Sequence, residues 1–389
     1  LENRKGKTAV IVAYGRSAVG KAKKGALSQV HPVDYAAEVL SGVLDRIPQL
    51  DRRQIDDVIV GCAKPEQTQG TNVGRVIAQR AQLPDEVPGQ TVNRFCSSGL
   101  QAIATAANAI MAGQAEVIVA GGVESMSSIP MVTDPSFRNP WLVEHGSAVY
   151  MPMGITAENV AADYHVTRAE MDEAAAISHT RAELAQDSGA FEREIIPVHY
   201  VDGNGTERVF DKDEGIRRGT TAEGLAGLKP CFQEGGVVTA ATSSQTSDGA
   251  GFVVLMSEEK AAELGVHPIA RFLGYAVAGV PARVMGIGPM KAIPKVMKQV
   301  GLTVNDMDVI ELNEAFAAQA IPCQKELGLN PQIVNPRGGA MALGHPLGAT
   351  GAILVCKALS YLQDNGGRYG LVSMCIGGGM GAAGVFELL

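Results

Sequence analysis

Two parts of the sequence repeat each other. Asp57-Val58-Ile59 leads to Cys62-Ala63, and Asp308-Val309-Ile310 leads to Asn313-Glu314-Ala315. Further on, Thr91-Val92-Asn93 passes through a glycine-containing loop into an alanine-rich helix and the strand Val117-Ile118-Val119; Ile333-Val334-Asn335 does likewise and ends in the strand Leu371-Val372. A duplicated unit of this kind predicts two similar α/β halves packed together with their loops facing one cleft. The short apolar runs Thr8 to Val12, Val58 to Val60, Glu116 to Ala120 and Gly370 to Val372 read as buried strands. Forty-six glycines against nine phenylalanines and one tryptophan suit tight turns and close helix approaches, not a helical bundle or a β-sandwich.

At 389 residues the chain exceeds one ordinary domain. The repeat places a first half at residues 1–120, completed by 247–268, and a second half at 269–389. Between them, residues 121–246 change character, with Pro130, Pro135, Pro140, Trp141 and Pro152, polar runs, and one strongly helical segment from Thr167 to Ser188. Thr167 followed by Glu170 forms a capping box for that helix. Such an insertion serves as a lid or substrate domain, or merely decorates the halves.

A formal charge of −8 gives no general attraction for nucleic acid or an anionic membrane, so an anionic ligand needs a local basic patch. No run of apolar residues is long enough to span a bilayer, and Leu1 to Lys7 is polar and basic. The expectation is a soluble cytoplasmic protein, or one of an organelle matrix if a leader has been removed. Cys62, Cys96, Cys231, Cys323, Cys356 and Cys375 are widely spaced, which leaves no zinc or thioredoxin-like signature and predicts free thiols in a reducing compartment.

Four segments carry chemistry. In Val92-Asn93-Arg94-Phe95-Cys96-Ser97-Ser98-Gly99-Leu100 a strand turns into the helix Leu100 to Met111, so Cys96 sits at a helix N-terminus whose N–H groups favour a thiolate; simple packing explains the residue equally well. Gly338 to Gly351 is a glycine-dense loop before a helix from about Ala352 to Gln363, and it is the repeat counterpart of the Cys96 loop. A lone histidine is more often structural, but that relation points His345 at Cys96 as a base. Met374-Cys375-Ile376-Gly377-Gly378-Gly379-Met380-Gly381 offers backbone N–H groups and a second thiol after a buried strand. Its overlap with the dinucleotide pattern G-x-G-x-x-G is rejected, because only five residues follow Gly384. In Glu311-Leu312-Asn313-Glu314-Ala315-Phe316, Asn313 is either a helix N-cap or the holder of a water that donates to an oxyanion.

In this order the V-N-x-x-C-x-S-G, N-E-A-F, G-H-P and C-x-G segments resemble those of the thiolase family, over essentially Thr8 to Leu389. The resemblance implies a thiolase fold, two α/β halves in a five-layered α/β/α/β/α core with an inserted loop domain. It implies that Cys96 becomes acylated, that His345 is its base and that Cys375 moves the proton at the α-carbon. It further implies that the N–H groups of Cys96 and Gly377 form one oxyanion hole, and His345 with a water on Asn313 the other. For coenzyme A, similar enzymes use an Arg at the position of Arg217 and a Ser at that of Ser244, with Arg217 and Arg218 as the local basic patch. Arg218 departs from the Pro often found there. Tyr150 to Val160, with Pro152 where short-chain acetoacetyl-CoA thiolases usually carry His, and Val334 to Gly339 are most like the degradative 3-ketoacyl-CoA group. The implied activity is 3-ketoacyl-CoA thiolysis by CoA in fatty-acid β-oxidation, in a homodimer or tetramer, with no metal and no cofactor beyond CoA as substrate. Alternatives are a short-chain thiolase running in the condensing direction and a non-catalytic acyl-CoA binder. A decarboxylating ketoacyl synthase shares the fold but usually lacks the second cysteine, so Cys375 argues against it.

Overall fold

Alternation along the strands sends side chains to two different cores. In β1 (Ala9–Arg16), β2 (Asp57–Gly61) and β4 (Val117–Ser125), Val10, Val58, Val60, Val117 and Val119 face one apolar cluster, while Ile11, Ile59 and Ile118 face another. A period of two with apolar residues at every position is the pattern of a sheet covered on both faces. In the computed structural model, residues 6–131 and 134–389 are described; Leu1 to Lys5, most of the polar start, lie outside them.

The first half contains β1, α1 (Pro32–Leu44), β2, α2 (Val73–Arg80), β3 (Gly89–Val92), α3 (Ser98–Met111) and β4, with β5 (Ser247–Ser257) returning after the insertion. β3, β2 and β4 run parallel, and β5 and β1 follow antiparallel. The second half repeats this order. It has β6 (Ala270–Gly279), α6 after two helices of the insertion, α4 (Met153–Asp163) and α5 (Arg168–Asp187), with α6 spanning Gly288–Val300, then β7 (Val309–Leu312) and α7 (Ala317–Leu327). α8 (Leu347–Asn365), β8 (Tyr369–Ile376) and β9 (Met380–Leu388) complete it. Val334 bridges Ile310 in parallel, β7 pairs with β8 in parallel, and β9 and β6 follow antiparallel. The half-sheets join edge to edge through Val10↔Arg271 and Ile11↔Ala270, so the hydrogen-bonded path runs continuously through both.

Five layers follow from the cores. α1 and α2 cover the first half-sheet, with Tyr35, Leu40, Val43 and Ile77 against Val58, Val119 and Val254. α3 and α8 lie between the two half-sheets, and Leu100, Ile103, Leu354 and Leu359 meet Ile59 and Val253 on one side and Phe272, Val372 and Phe386 on the other. α6 and α7 cover the second half-sheet through Ile293, Val296 and Cys323.

Two boundaries differ from the sequence reading. β4 runs on to Ser125, past residue 121, because its ladder with β5 continues to Ser125↔Asp248. α8 begins at Leu347 instead of near Ala352: Gly348 and Gly351, read as loop residues, are helical and lie where the helix touches other backbone. A Cβ on Gly351 would stand 2.3 Å from Leu100 N, and one on Gly99 2.8 Å from Ala352 N. The capping box at Thr167 and Glu170 is formed as read. The insertion is fastened to β1 by a buried ion cluster, in which Arg16 donates to Glu194 (2.7 Å) and twice to Asp213 (2.8 and 2.9 Å).

Gly351→Ala tests the contact between α3 and α8. Inside an exposed helix this change stabilises by up to about 1 kcal/mol; here it is expected to destabilise by about 1–3 kcal/mol through backbone displacement, read as a lower urea midpoint. An unchanged or higher midpoint refutes the close approach.

Candidate active site

The turn before α3 is held by its own polar side chains. Phe95 has φ +44°, an unfavourable left-handed conformation for a non-glycine residue. Asn93 Oδ1 accepts from Phe95 N (2.8 Å), Ser98 Oγ accepts from Arg94 N (2.9 Å) and donates to Phe95 O (2.6 Å), and Asn93 Nδ2 donates to Ala63 O (3.1 Å). The turn delivers Cys96 to the start of α3 with its side chain buried. Two backbone N–H groups, its own and that of Gly377, point at the sulfur and favour the thiolate. Burial outweighs them and, with the field of Glu124, pushes the thiol up to about 11. The expected gain from the helix N-terminus is therefore present but does not win, so Cys96 rests as a thiol.

His345 lies two residues before α8, as Cys96 lies two before α3. Its N–H donates to Gln245 O (3.0 Å), which fixes the backbone there. Nδ1 lies 2.6 Å from Thr350 Oγ1, and Asn313 Nδ2 lies 3.4 Å from Nε2. With the amide donating to Nε2, the proton of the neutral ring sits on Nδ1, and Nε2 is the basic nitrogen. Burial pulls the imidazole down to about 4. Among the described contacts, none is a direct hydrogen bond between His345 and Cys96.

Asn313 is not an N-cap: α7 starts at Ala317, and the Asn313 side chain turns to the histidine. Its Oδ1 is buried without a protein partner. A cavity of about 20 Å³ beside Asn313, Gly344, Pro346 and Thr350 is of single-water size. Cys375, near the end of β8, is fully buried among Met285, Ala315, Phe316 and Met341. Burial holds its thiol well above the ordinary range, and the neighbouring Cys96 thiolate would raise it further. Gly377 lies in the turn between β8 and β9. The structure thus gathers Cys96 with Gly377 and Cys375, and His345 with Asn313, around the junction of the two halves.

The two residues that the family resemblance links to coenzyme A, Ser244 and Arg217, lie outside this group. Ser244 is half-buried, and its N–H donates to Ala315 O (2.9 Å), next to the Asn313 segment. Arg217 is exposed, and its backbone N–H donates to His179 Nδ1 (3.0 Å). Arg218 is exposed and pairs on the surface with Asp187 (2.5 and 2.7 Å) and Glu183 (3.4 Å). Burial first, then the charge of Arg217, holds the His179 imidazole down at about 4 against the opposing field of Glu183, with Lys21 adding a smaller push in the same direction as Arg217.

Family models for the N-terminal and C-terminal domains of thiolase match residues 9–259 and 266–388. The chain belongs to the thiolase family. As a thiolase it is an acyltransferase. It is 49% identical to the 3-ketoacyl-CoA thiolase of Bacillus subtilis (strain 168), covering 98% of this chain and 100% of that one. It is 45% identical to the 3-ketoacyl-CoA thiolase of Vibrio vulnificus (strain CMCP6), over 98% and 99%. The crystal structure of the Bacillus anthracis acetyl-CoA acetyltransferase superposes over the whole of both chains with a TM-score of 0.92 at 42% identity, which establishes the thiolase fold.

Sequence reading also missed Thr350, Gln245 and Glu314 of this thiolase. Glu314 accepts from Ser178 Oγ (2.6 Å), Asn335 Nδ2 (3.1 Å) and Met341 N (3.3 Å), binding the Asn313 segment to the loop that leads to His345. Glu314 stands in the N-E-A-F segment, but nothing local to that segment distinguishes its carboxylate from that of Glu311.

A pH prediction follows from His345. Its folded value of about 4 lies below the ordinary 6.5, so between those values the unfolded chain binds more protons. Stability therefore rises with pH through this window and is lost as pH falls from 6.5 toward 4. His345→Asn should show a shallower loss of urea midpoint between pH 7 and pH 5 than the parent; an identical slope contradicts the buried neutral ring.

Proposed function

We propose that the chain cleaves 3-ketoacyl-CoA with free CoA, giving acetyl-CoA and a shortened acyl-CoA through an acyl-Cys96 intermediate, as a step of fatty-acid β-oxidation. The observation that carries this reading is the pairing of two buried thiols from different halves, Cys96 under two N–H groups and Cys375 beside it. Breaking the Cα–Cβ bond of a 3-ketoacyl thioester needs a nucleophile at the ketone and a separate acid for the enolate that leaves. One thiol cannot be both acyl carrier and acid.

Nε2 of His345 takes the Cys96 proton, and the thiolate adds to the ketone carbon. The N–H groups of Cys96 and Gly377, which already point at the sulfur, suit the oxyanion that forms next to it. As the Cα–Cβ bond breaks, its electron pair passes to the enolate of acetyl-CoA, whose oxygen is met by His345 and a water on Asn313. Cys375, kept protonated by burial, gives its proton to the α-carbon. The Cys375 thiolate then takes the proton of the CoA thiol, whose sulfur attacks the acyl-cysteine; Cys96 leaves as the thiolate and recovers its proton from His345, so all three groups return to their starting forms. Arg217 and Ser244 hold coenzyme A, which is a substrate; no other cofactor or metal enters. The cytoplasm suits free thiols, and no helix among the described residues is long and apolar enough to cross a membrane.

A second reading is favoured by one likeness, the neighbour named acetyl-CoA acetyltransferase. It is an acetoacetyl-CoA thiolase working in the condensing direction. Specificity constants over a series of 3-ketoacyl-CoA chain lengths separate the two: medium or long chains are expected to exceed acetoacetyl-CoA, and the reverse order supports the second. A homodimer is also proposed, because β3 ends the sheet with a partly exposed edge. Light scattering at micromolar concentration should report two chains, and a stable monomer counts against it.

The decisive experiment separates the thiols. Cys375→Ala should lose about 10²–10⁴ in thiolysis, the usual worth of general acid catalysis, yet still exchange acyl groups between CoA thioesters and Cys96. Cys96→Ala should lose both. Near wild-type thiolysis in a folded Cys375→Ala enzyme makes Cys375 a packing residue.

A further inference from the structure

The internal repeat pairs the two halves of the site residue by residue. Val58 faces Val119 across β2 and β4, and its counterpart Val309 faces Gly370 across β7 and β8. Five residues further along each strand stand Glu124 in the first half and Cys375 in the second. Cys62 stands four residues beyond Val58, where Asn313 stands beyond Val309. Cys96 and His345 precede α3 and α8 by the same interval. So Glu124 occupies, in the first half, the place that Cys375 has in the second.

The contacts cross between halves in the same way. The second half reaches Cys96 through the Gly377 N–H. In return, Glu124 Oε2 accepts from Gly348 N at the start of α8 (2.8 Å) and from Ala63 N (2.8 Å). Oε1 accepts from Gln69 Nε2 (2.9 Å) and Lys64 N (3.3 Å), and Cys62 Sγ lies 3.8 Å away. The carboxylate is 1% exposed. Gly348 is packed against it so closely that a Cβ there would stand 2.8 Å from Oε2 and 2.7 Å from Ala63 N. Gly348 is three residues from His345. Burial raises the Glu124 carboxyl above its ordinary value, and the donors of Gln69, Ala63, Gly348 and Lys64 oppose that rise in favour of the carboxylate, which the helix N-terminus also favours.

We propose that Glu124 is a positioning residue that binds the start of α8 to the first half and thereby sets where His345 stands relative to Cys96. It touches neither substrate nor reacting atoms, and it acts through the helix that follows the base. This rests on the reading of Cys96 and His345 as nucleophile and base. Glu124 acts in two separable ways, by reach and by charge, since its field also opposes ionisation of Cys96.

Glu124→Asp keeps the charge and shortens the reach, whereas Glu124→Gln keeps the reach and removes the charge. Thiolysis is measured as kcat and KM, and Cys96 ionisation as the pH midpoint of iodoacetamide alkylation, read by peptide mass spectrometry. Glu124→Asp is expected to lose about 10²-fold in kcat, the scale of a misplaced catalytic group, with KM and the alkylation midpoint held. Glu124→Gln is expected to lower kcat and to move the alkylation midpoint to lower pH. If Glu124→Gln does not fold, Glu124→Asp decides alone. Unchanged kcat in Glu124→Asp overturns the proposal, as does an alkylation midpoint in folded Glu124→Gln equal to the parent's. Alkylation needs no acyl-CoA, so a parent enzyme inert toward 3-ketoacyl-CoA would sink the thiolysis reading while leaving the alkylation result to judge Glu124.

Discussion

The molecule depends on one backbone-to-backbone contact, the crossing of α3 and α8 at their N-terminal turns. Gly99 faces Gly348 O and Ala352 N, and Gly351 faces Leu100 N, at distances that leave no room for a side chain. Because Cys96 and His345 each stand two positions before their helix, bringing the helices together at these turns brings the two residues to the same junction. The half-sheets then close over the pair from both sides, and the apolar faces of α3 and α8 become the middle of the protein. Helix packing ordinarily holds axes 8–10 Å apart through interleaved side chains. Here small residues replace that layer, and the site inherits its geometry from the main chain.

Burial at this junction decides the resting charge of the site. The thiol of Cys96 is held at about 11 and the imidazole of His345 at about 4, so each is pushed toward its neutral form. At neutral pH both groups therefore rest uncharged, Cys96 as a thiol and His345 as a neutral imidazole. Cys375, deeper and held higher, remains a proton donor under the same conditions. Identical side chains thus meet different environments, one under N–H groups at a helix start and the other inside an apolar cluster.

What the sequence disclosed was whatever depends on local order. The two strand motifs at Asp57 and Asp308 foretold matching half-sheets, Thr167 and Glu170 foretold a helix start, and Cys96 was placed before its helix. What stayed hidden depends on contacts far apart in the chain. Gly348 and Gly351 read as loop because glycine disfavours helix, yet the approach of α3 requires them. Glu124 looked like one carboxylate in a strand, and its partners come from residues 63, 64, 69 and 348. The surface pairing of Arg218 with Asp187 and Glu183 likewise joins residues 31 and 35 positions apart in the chain.

The ion cluster of Arg16, Glu194 and Asp213 bears on how a bulky ligand enters. Glu194 and Asp213 belong to the insertion, Arg16 ends β1, and all three side chains are sealed from water. Removing one partner from such a cluster commonly costs about 3–5 kcal/mol, and swinging the insertion outward would strip both carboxylates from the arginine at once. The insertion is therefore pinned to the end of β1 where Glu194 and Asp213 sit, and any opening there would first have to break this buried cluster.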